Sequence, residues 1–273
     1  EERLHQITSF LRKHQCRGDE RGYTHSSLRG AKDWCTDTGR LCFPDEPAVQ
    51  RQLHEAISDL FTLKKCLCWV EMTTPHHPLI EDIDILGSES RDDGPPDSLL
   101  TWDFWDLRAT LLHAMFPEVG NLELTLFSAS GWHVEKGRQK TSYHMVWRQI
   151  VVDDARARVV RSATVESFKR HCADDTGSAL AAIAKKLQDL DSANTWDMVF
   201  DITAVRAGSF RMPFNDKLAR RTRLLEHRPL LPKGVLHFEF DAGGSVCRHS
   251  YLFEPKHFSH VEWLQRSSVR LTD

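Results

Sequence analysis

No stretch of this 273-residue chain stays apolar for the roughly 20 residues that a membrane-spanning helix needs, so no membrane partner is expected. It has no excess of either charge: 36 Lys and Arg face 39 Asp and Glu, net −3. No global basic field therefore attracts nucleic acid, and any such partner must meet a local patch. Seven cysteines, at positions 16, 35, 42, 66, 68, 172 and 247, are odd in number and irregular in spacing, unlike a disulfide scaffold. Free thiols in a reducing, intracellular setting are expected. No internal repeat or Gly/Ser linker divides the sequence. The charged start, EERLHQITSF, is not a secretory signal, and without an initiator Met the chain is expected to be a piece of a longer or processed protein. Eight Trp and 14 Phe supply anchors for a substantial core, which excludes low-complexity disorder.

Hydrophobic spacing predicts helices over 1–15, over about 45–65 behind Asp45-Glu46-Pro47, and from Leu100 to Pro117. Two more are predicted, at about 155–171 and 177–190. Strands are predicted at 66–72, 78–86, 121–130 and 142–153, in a short WDMVFD run (196–201), and near 235–240 and 246–253. A polar loop is predicted from 131 through Lys140. Strands alternating with helices give an α/β or α+β class. Trp102, Phe104 and Trp105 are expected to pack in the core, and Trp34 and Tyr23 are candidates to stack on template bases.

Three short motifs carry chemistry. In Ile80-Glu81-Asp82-Ile83-Asp84-Ile85, strand alternation puts Asp82 and Asp84 on one face, about 7 Å apart. Two such carboxylates repel unless water screens them or a hard cation such as Mg²⁺ or Mn²⁺ lies between them. In Lys140-Thr141-Ser142-Tyr143-His144, a strand reaching back to Lys140 would align an ammonium, a hydroxyl and an imidazole, a cradle for phosphate oxygens. The third runs from Phe200-Asp201 through Arg206 and Phe210-Arg211 to Lys217. There Arg206, Arg211, Lys217, Arg220, Arg221 and Arg223 outweigh Asp201 and Asp216, a local basic footprint of the kind that meets phosphates. Taken singly, these are also what an acidic edge strand, a hydrogen-bonded sheet histidine and a solvated basic helix face would show.

Their order is more specific. Asp-x-Asp, then Ser-x-His, then hydrophobic-Asp followed by Phe-Arg and a later Lys resembles the archaeo-eukaryotic primase superfamily. The Phe210-Arg211/Lys217 tail and Lys140 are most similar to its primase-polymerase branch of eukaryotes and large DNA viruses. The resemblance covers about residues 79–217. It implies a primase fold of two small α/β modules, one RRM-like, with a cleft between them. The modules are expected to interleave, about 1–78 plus 153–195 and about 79–152 plus 196–273. It further implies two Mg²⁺ or Mn²⁺ ions on the catalytic residues Asp82, Asp84 and Asp201, with Ser142 and His144 on the nucleotide phosphates. Lys140, Arg211 and Lys217 would neutralise the triphosphate. The Asp201-to-Phe210 spacing is slightly short of the family pattern, and Arg206 is the candidate for the arginine expected before the Phe-Arg pair.

The family's zinc module is not evident. Cys247 and His249 with His257 and His260, and the set Cys35, Cys42, Cys66 and Cys68, lack zinc-ligand spacing, so structural zinc is not expected. That bears on starting primers more than on nucleotide transfer. The implied partners are a single-stranded DNA template, NTPs or dNTPs, and a helicase or other replication proteins, in a nucleus, mitochondrion or virus-infected cell. The expected activity is primer synthesis or extension. Alternatives are a repair polymerase for gap filling or end bridging, a two-metal phosphohydrolase or nuclease, and a catalytically silent nucleic-acid-binding module.

Overall fold

The computed structural model describes residues 1–16, 22–28, 39–206, 208–218, 225–226 and 228–271. Trp34, Cys35, Arg220, Arg221 and Arg223 lie outside the described residues. In chain order the elements are α1 (Glu2–Lys13), β1 (His25–Ser27), β2 (Gly39–Leu41), α2 (Pro47–Thr62), β3 (Trp69–Met72), β4 (His77–Leu86), α3 (Trp102–Met115), β5 (Leu122–Ser128), β6 (Gly131–His133) and β7 (Arg138–Val152). There follow α4 (Asp154–Asp174), α5 (Ala179–Leu190), α6 (Trp196–Val199), α7 (Thr203–Arg206), β8 (Ser209–Arg211), β9 (Lys217–Leu218), β10 (Leu225–Glu226), β11 (Leu231–Phe240), β12 (Val246–Phe253) and α8 (His260–Ser267). The class is α+β with antiparallel pairing. No helix among the described residues is long and apolar enough to cross a membrane.

The chain divides into two units: Glu1–Thr74 with Gly208–Leu231 and Lys256–Asp273, and Pro75–Ala207 with Pro232–Pro255. The first holds a four-stranded sheet in the order β2-β1-β3-β8. Helix α2 starts with Pro47 in its first turn, where the missing N–H removes no hydrogen bond. It buries Leu53, Ala56, Ile57 and Leu60. Helix α8 opens on a capping box, with Ser259 and Glu262 each satisfying the other's backbone N–H, and buries Trp263 and Leu264.

The second unit is built on a six-stranded sheet in the order β12-β11-β5-β7-β4, with β6 also paired to β7. Leu79, Ile83 and Ile85 of β4 and Tyr143, Met145 and Trp147 of β7 point to one face. There they share a core with Phe104, Trp105 and Ala109 of α3, Val160 and Phe168 of α4, and Leu180 and Leu187 of α5. This corrects the expected interleaving. Residues 153–195 belong with the six-stranded sheet because α4 and α5 bury their apolar stripes in its core. Residues 208–231 and 256–273 return to the first unit, where β8 completes the small sheet beside β3.

Two local expectations also change. The WDMVFD run is not a strand: Trp196, Val199 and Phe200 are buried and Met198 is exposed, a spacing of three and four that α6 satisfies. The polar loop is shorter than expected. It includes β6, and β7 begins at Arg138, so Lys140 lies in the strand. Trp105 and Phe104 are buried as expected, and Trp102, half-buried, packs against the same core and stacks on His249, with ring centroids 4.0 Å apart.

Candidate metal centre

From Glu81 to Leu86 strand β4 alternates between buried and half-buried positions. Ile83 and Ile85 enter the helix-side core, so Asp82 and Asp84 project from the opposite face. Strand β7 runs antiparallel beside it, with Asp82 opposite His144, Asp84 opposite Ser142 and Leu86 opposite Lys140. Directly opposed residues share a face. The first two motifs, 55 residues apart in sequence by their nearest members, Ile85 and Lys140, therefore lie side by side.

Asp201 arrives by a different route. Helix α6 ends at Val199, Phe200 forms an isolated bridge with Ile83, and the Asp201 N–H donates to the Asp82 carbonyl at 2.9 Å. The chain thus makes a brief extension of the sheet edge beside β4. One oxygen of Asp201 accepts the Thr203 N–H at 2.8 Å, which fixes the carboxylate at the start of α7. One ligand oxygen from each of Asp82, Asp84 and Asp201 lies within 4.8 Å of the others. All three residues are half-buried. Among the described residues this is the set of His, Cys, Asp or Glu side chains placed to hold a metal ion, and an all-carboxylate donor set suits a hard cation.

Positive charge stands close by. The Lys140 Nζ lies 2.5 Å from an Asp84 oxygen, with its side chain only 4% exposed. His144 Nε2 is 3.8 Å from an Asp82 oxygen. Ser142 is buried between them on the same strand face. Arg206 is exposed at the end of α7 in this unit. Arg211, on β8, and Lys217, on β9, belong to the first unit; the Arg211 guanidinium donates to the Arg228 carbonyl at 3.1 Å.

Three supporting groups were not anticipated from the sequence. Arg161 of α4 donates to the Phe200 carbonyl at 2.9 Å and borders a small pocket shared with Asp82 and Asp201. On the helix side of β4, Arg108 is wholly buried and makes three hydrogen bonds of 3.1, 3.0 and 2.6 Å to the Glu81 carboxylate. The Trp147 indole N–H adds a fourth at 2.8 Å. Asn194 exchanges hydrogen bonds of 2.8 Å with both the N–H and the carbonyl of Leu86 and donates to the Leu187 carbonyl at 2.9 Å. The acidic strand is thus pinned beneath Asp82 and at its far end. A signal for Arg108 exists in the sequence: it sits four residues after Phe104 and four before Leu112, on the stripe that α3 buries.

Comparison with known proteins finds no family model that matches the chain and no curated protein that matches it in sequence.

Proposed function

We propose that the chain is a template-dependent nucleotidyltransferase of the primase-polymerase kind, with the archaeo-eukaryotic primase fold, which makes or extends primers from NTPs or dNTPs on single-stranded DNA. The observation that carries this reading is the β4–β7 register. It lays Asp-x-Asp against Lys-x-Ser-x-His, while the backbone bridge from Phe200 and Asp201 supplies a third carboxylate to the same place. Clustered acids directly beside a row of phosphate-binding groups suit transfer of a nucleotidyl group. A surface that only binds nucleic acid gains nothing from clustered acids.

Asp82, Asp84 and Asp201 would hold two ions of the Mg²⁺ or Mn²⁺ type, which when bound supply activation of a 3′-hydroxyl and neutralisation of charge on the triphosphate. The chain's own groups do the positioning on which phosphoryl-type transfer mainly depends. Ser142 and His144 donate to phosphate oxygens from a rigid strand. Lys140 offers an ammonium to the charge that develops on the departing pyrophosphate. Arg206, Arg211 and Lys217 are assigned to the triphosphate by the resemblance alone. Arg161 holds the Phe200 carbonyl and so the approach of Asp201 to the site.

The test is primer synthesis and extension on single-stranded template with Mg²⁺ or Mn²⁺, with pyrophosphate measured as product, on wild type and on Asp82→Ala/Asp84→Ala. The expected result is pyrophosphate release by wild type and its loss in the double variant. Undiminished activity in that variant rejects the metal assignment. Cut strands without pyrophosphate point to a nuclease, and strong preference for a recessed 5′-phosphate points to gap repair. Template binding with no turnover points to a silent binding module.

A further inference from the structure

Within the proposed metal centre, Lys140 and Asp84 form a contact that the nucleotide reading does not use. Lys140 lies opposite Leu86 and Asp84 opposite Ser142, so the pair is a cross-strand diagonal, within reach of a long side chain. The ammonium reaches 2.5 Å from Asp84 Oδ2, with 4% of the lysine side chain and 20% of the aspartate side chain exposed. A lysine this buried is held by its partner, because an ammonium out of water needs a compensating charge. The partner it has chosen is one of three carboxylates gathered within 4.8 Å, whose mutual repulsion it relieves.

A divalent ion held by Asp84 would bind carboxylate oxygen at about 2.1 Å, closer than the ammonium stands. Two cations on one carboxylate repel each other, so an ion entering at Asp84 works against the Lys140 contact. Phosphate oxygens, which a nucleoside triphosphate would bring to the neighbouring Ser142 and His144, would give a displaced ammonium a new anion.

Resting on the reading of this cluster as a metal centre, we propose that Lys140 is a resident placeholder cation. It occupies the Asp84 position while the site is empty, is exchanged for the divalent ion, and then passes to the triphosphate. The exchange makes metal and nucleotide bind cooperatively. Metal alone must break the Lys140–Asp84 pair, whereas metal with nucleotide gives the ammonium a new anion.

The experiment measures Mn²⁺ binding without nucleotide, by electron paramagnetic resonance and calorimetry, in wild type, Lys140→Met, Lys140→Arg and Asp84→Asn. Lys140→Met should bind Mn²⁺ about tenfold more tightly than wild type, equivalent to about 1.4 kcal/mol, and Lys140→Arg should stay near wild type. Equal or weaker binding by Lys140→Met overturns the exchange; because loss of any nearby positive charge also favours a cation, displacement itself is decided by the next measurement. A second readout uses the unaltered protein. Acetylation of Lys140 by an N-hydroxysuccinimide ester, followed by peptide mass spectrometry, should accelerate when Mg²⁺ is added, and an unchanged or slower rate refutes displacement. If wild type binds Mn²⁺ no better than Asp84→Asn, the metal-centre reading itself falls. If wild type binds, Asp84→Asn does not, and Lys140→Met gains nothing, the placeholder alone falls.

Discussion

Arg108→Met should destabilise the second unit far more than an ordinary surface change. The guanidinium is fully buried and makes three hydrogen bonds to Glu81, whose side chain is only 5% exposed. Methionine fills much of the volume but leaves the carboxylate inside the protein with the Trp147 N–H as its remaining donor. Removing one partner of a buried ion pair costs about 3–5 kcal/mol, mostly through the stranded charge. The same physics requires that deleting both charges be far milder. Glu81→Leu/Arg108→Met should lie within about 1 kcal/mol of wild type, because desolvation of the pair offsets most of its attraction. Because stranding either charge costs about 3–5 kcal/mol while the double change is nearly neutral, the coupling energy in the double-mutant cycle is at least about 5 kcal/mol. Tryptophan fluorescence would mix Trp69 and Trp263 of one unit with Trp147 of the other. Hydrogen exchange of β4 and β7 peptides in urea isolates the relevant unit. A cost below about 1 kcal/mol for Arg108→Met, or a double variant as unstable as the single, would refute this account of the strand's support. Glu81 directly precedes Asp82, so Mn²⁺ binding should weaken in the single variant along with β4 protection.

Other outcomes follow from the same geometry. Glu71 is buried in the first unit, where it accepts the Val269 N–H at 2.7 Å and the Ser268 hydroxyl at 3.0 Å, and burial pushes its pKa from 4.5 up to about 7. The folded unit therefore holds that proton more tightly than the unfolded chain, and stability from Glu71 is lost as pH rises from about 4.5 to about 7. Against wild type, Glu71→Gln should be equal below that window and roughly 3 kcal/mol more stable above it, read by urea unfolding followed through β3 exchange; a difference that does not vary with pH would contradict this. His25 and His54 act in the opposite direction, because burial lowers them to about 3 and about 4, so stability from their neutral forms is lost as pH falls from 6.5. Asn194→Ala takes this partner from the Leu86 N–H and carbonyl, while the Leu187 carbonyl keeps the Asp191 N–H; at about 1–3 kcal/mol for each buried group left unsatisfied, a loss of about 2–3 kcal/mol and fast exchange at the Leu86 amide are expected. Asp201→Asn keeps an acceptor for Thr203 but removes a ligand charge, so calorimetry should show Mn²⁺ binding weakened about tenfold or more with little change in melting temperature.

Much of the second unit was legible because its signals are local and periodic. Asp82 and Asp84 fall on one face wherever that segment is a strand, and the structure keeps Lys140, Ser142 and His144 on one face of β7 as alternation requires. The pairing of those two strands was not in the sequence pattern, since no local signal states which strand neighbours which. The α6 turn was misread for a definable reason: six residues are too few to separate a period of two from one of three and four, and only the burial of Trp196, Val199 and Phe200 decides it. Arg161, Arg108 and Asn194 escaped because isolated polar residues in helices and loops look like solvated surface until their partners are known. The division of the chain was also misjudged, because α4 and α5 follow β7 directly and the return of 208–231 to the first unit depends on the distant β3–β8 pairing.

The long β7 strand has one irregularity, between the partners of Pro78 and Leu79, where the opposing residue jumps from Val151 to Trp147. The slack in the β4–β7 pairing is therefore spent before the acidic segment begins, and from Leu79 to Leu86 every step is matched one to one. An added or deleted residue between Lys140 and His144 would swing part of the Lys-x-Ser-x-His row onto the greasy side, under the helices, and bring a neighbour such as Tyr143 out to confront the acids. A change of length in the 87–96 loop leaves that arithmetic untouched. A segment of five residues, 140–144, is thus held to its length as strictly as to its chemistry.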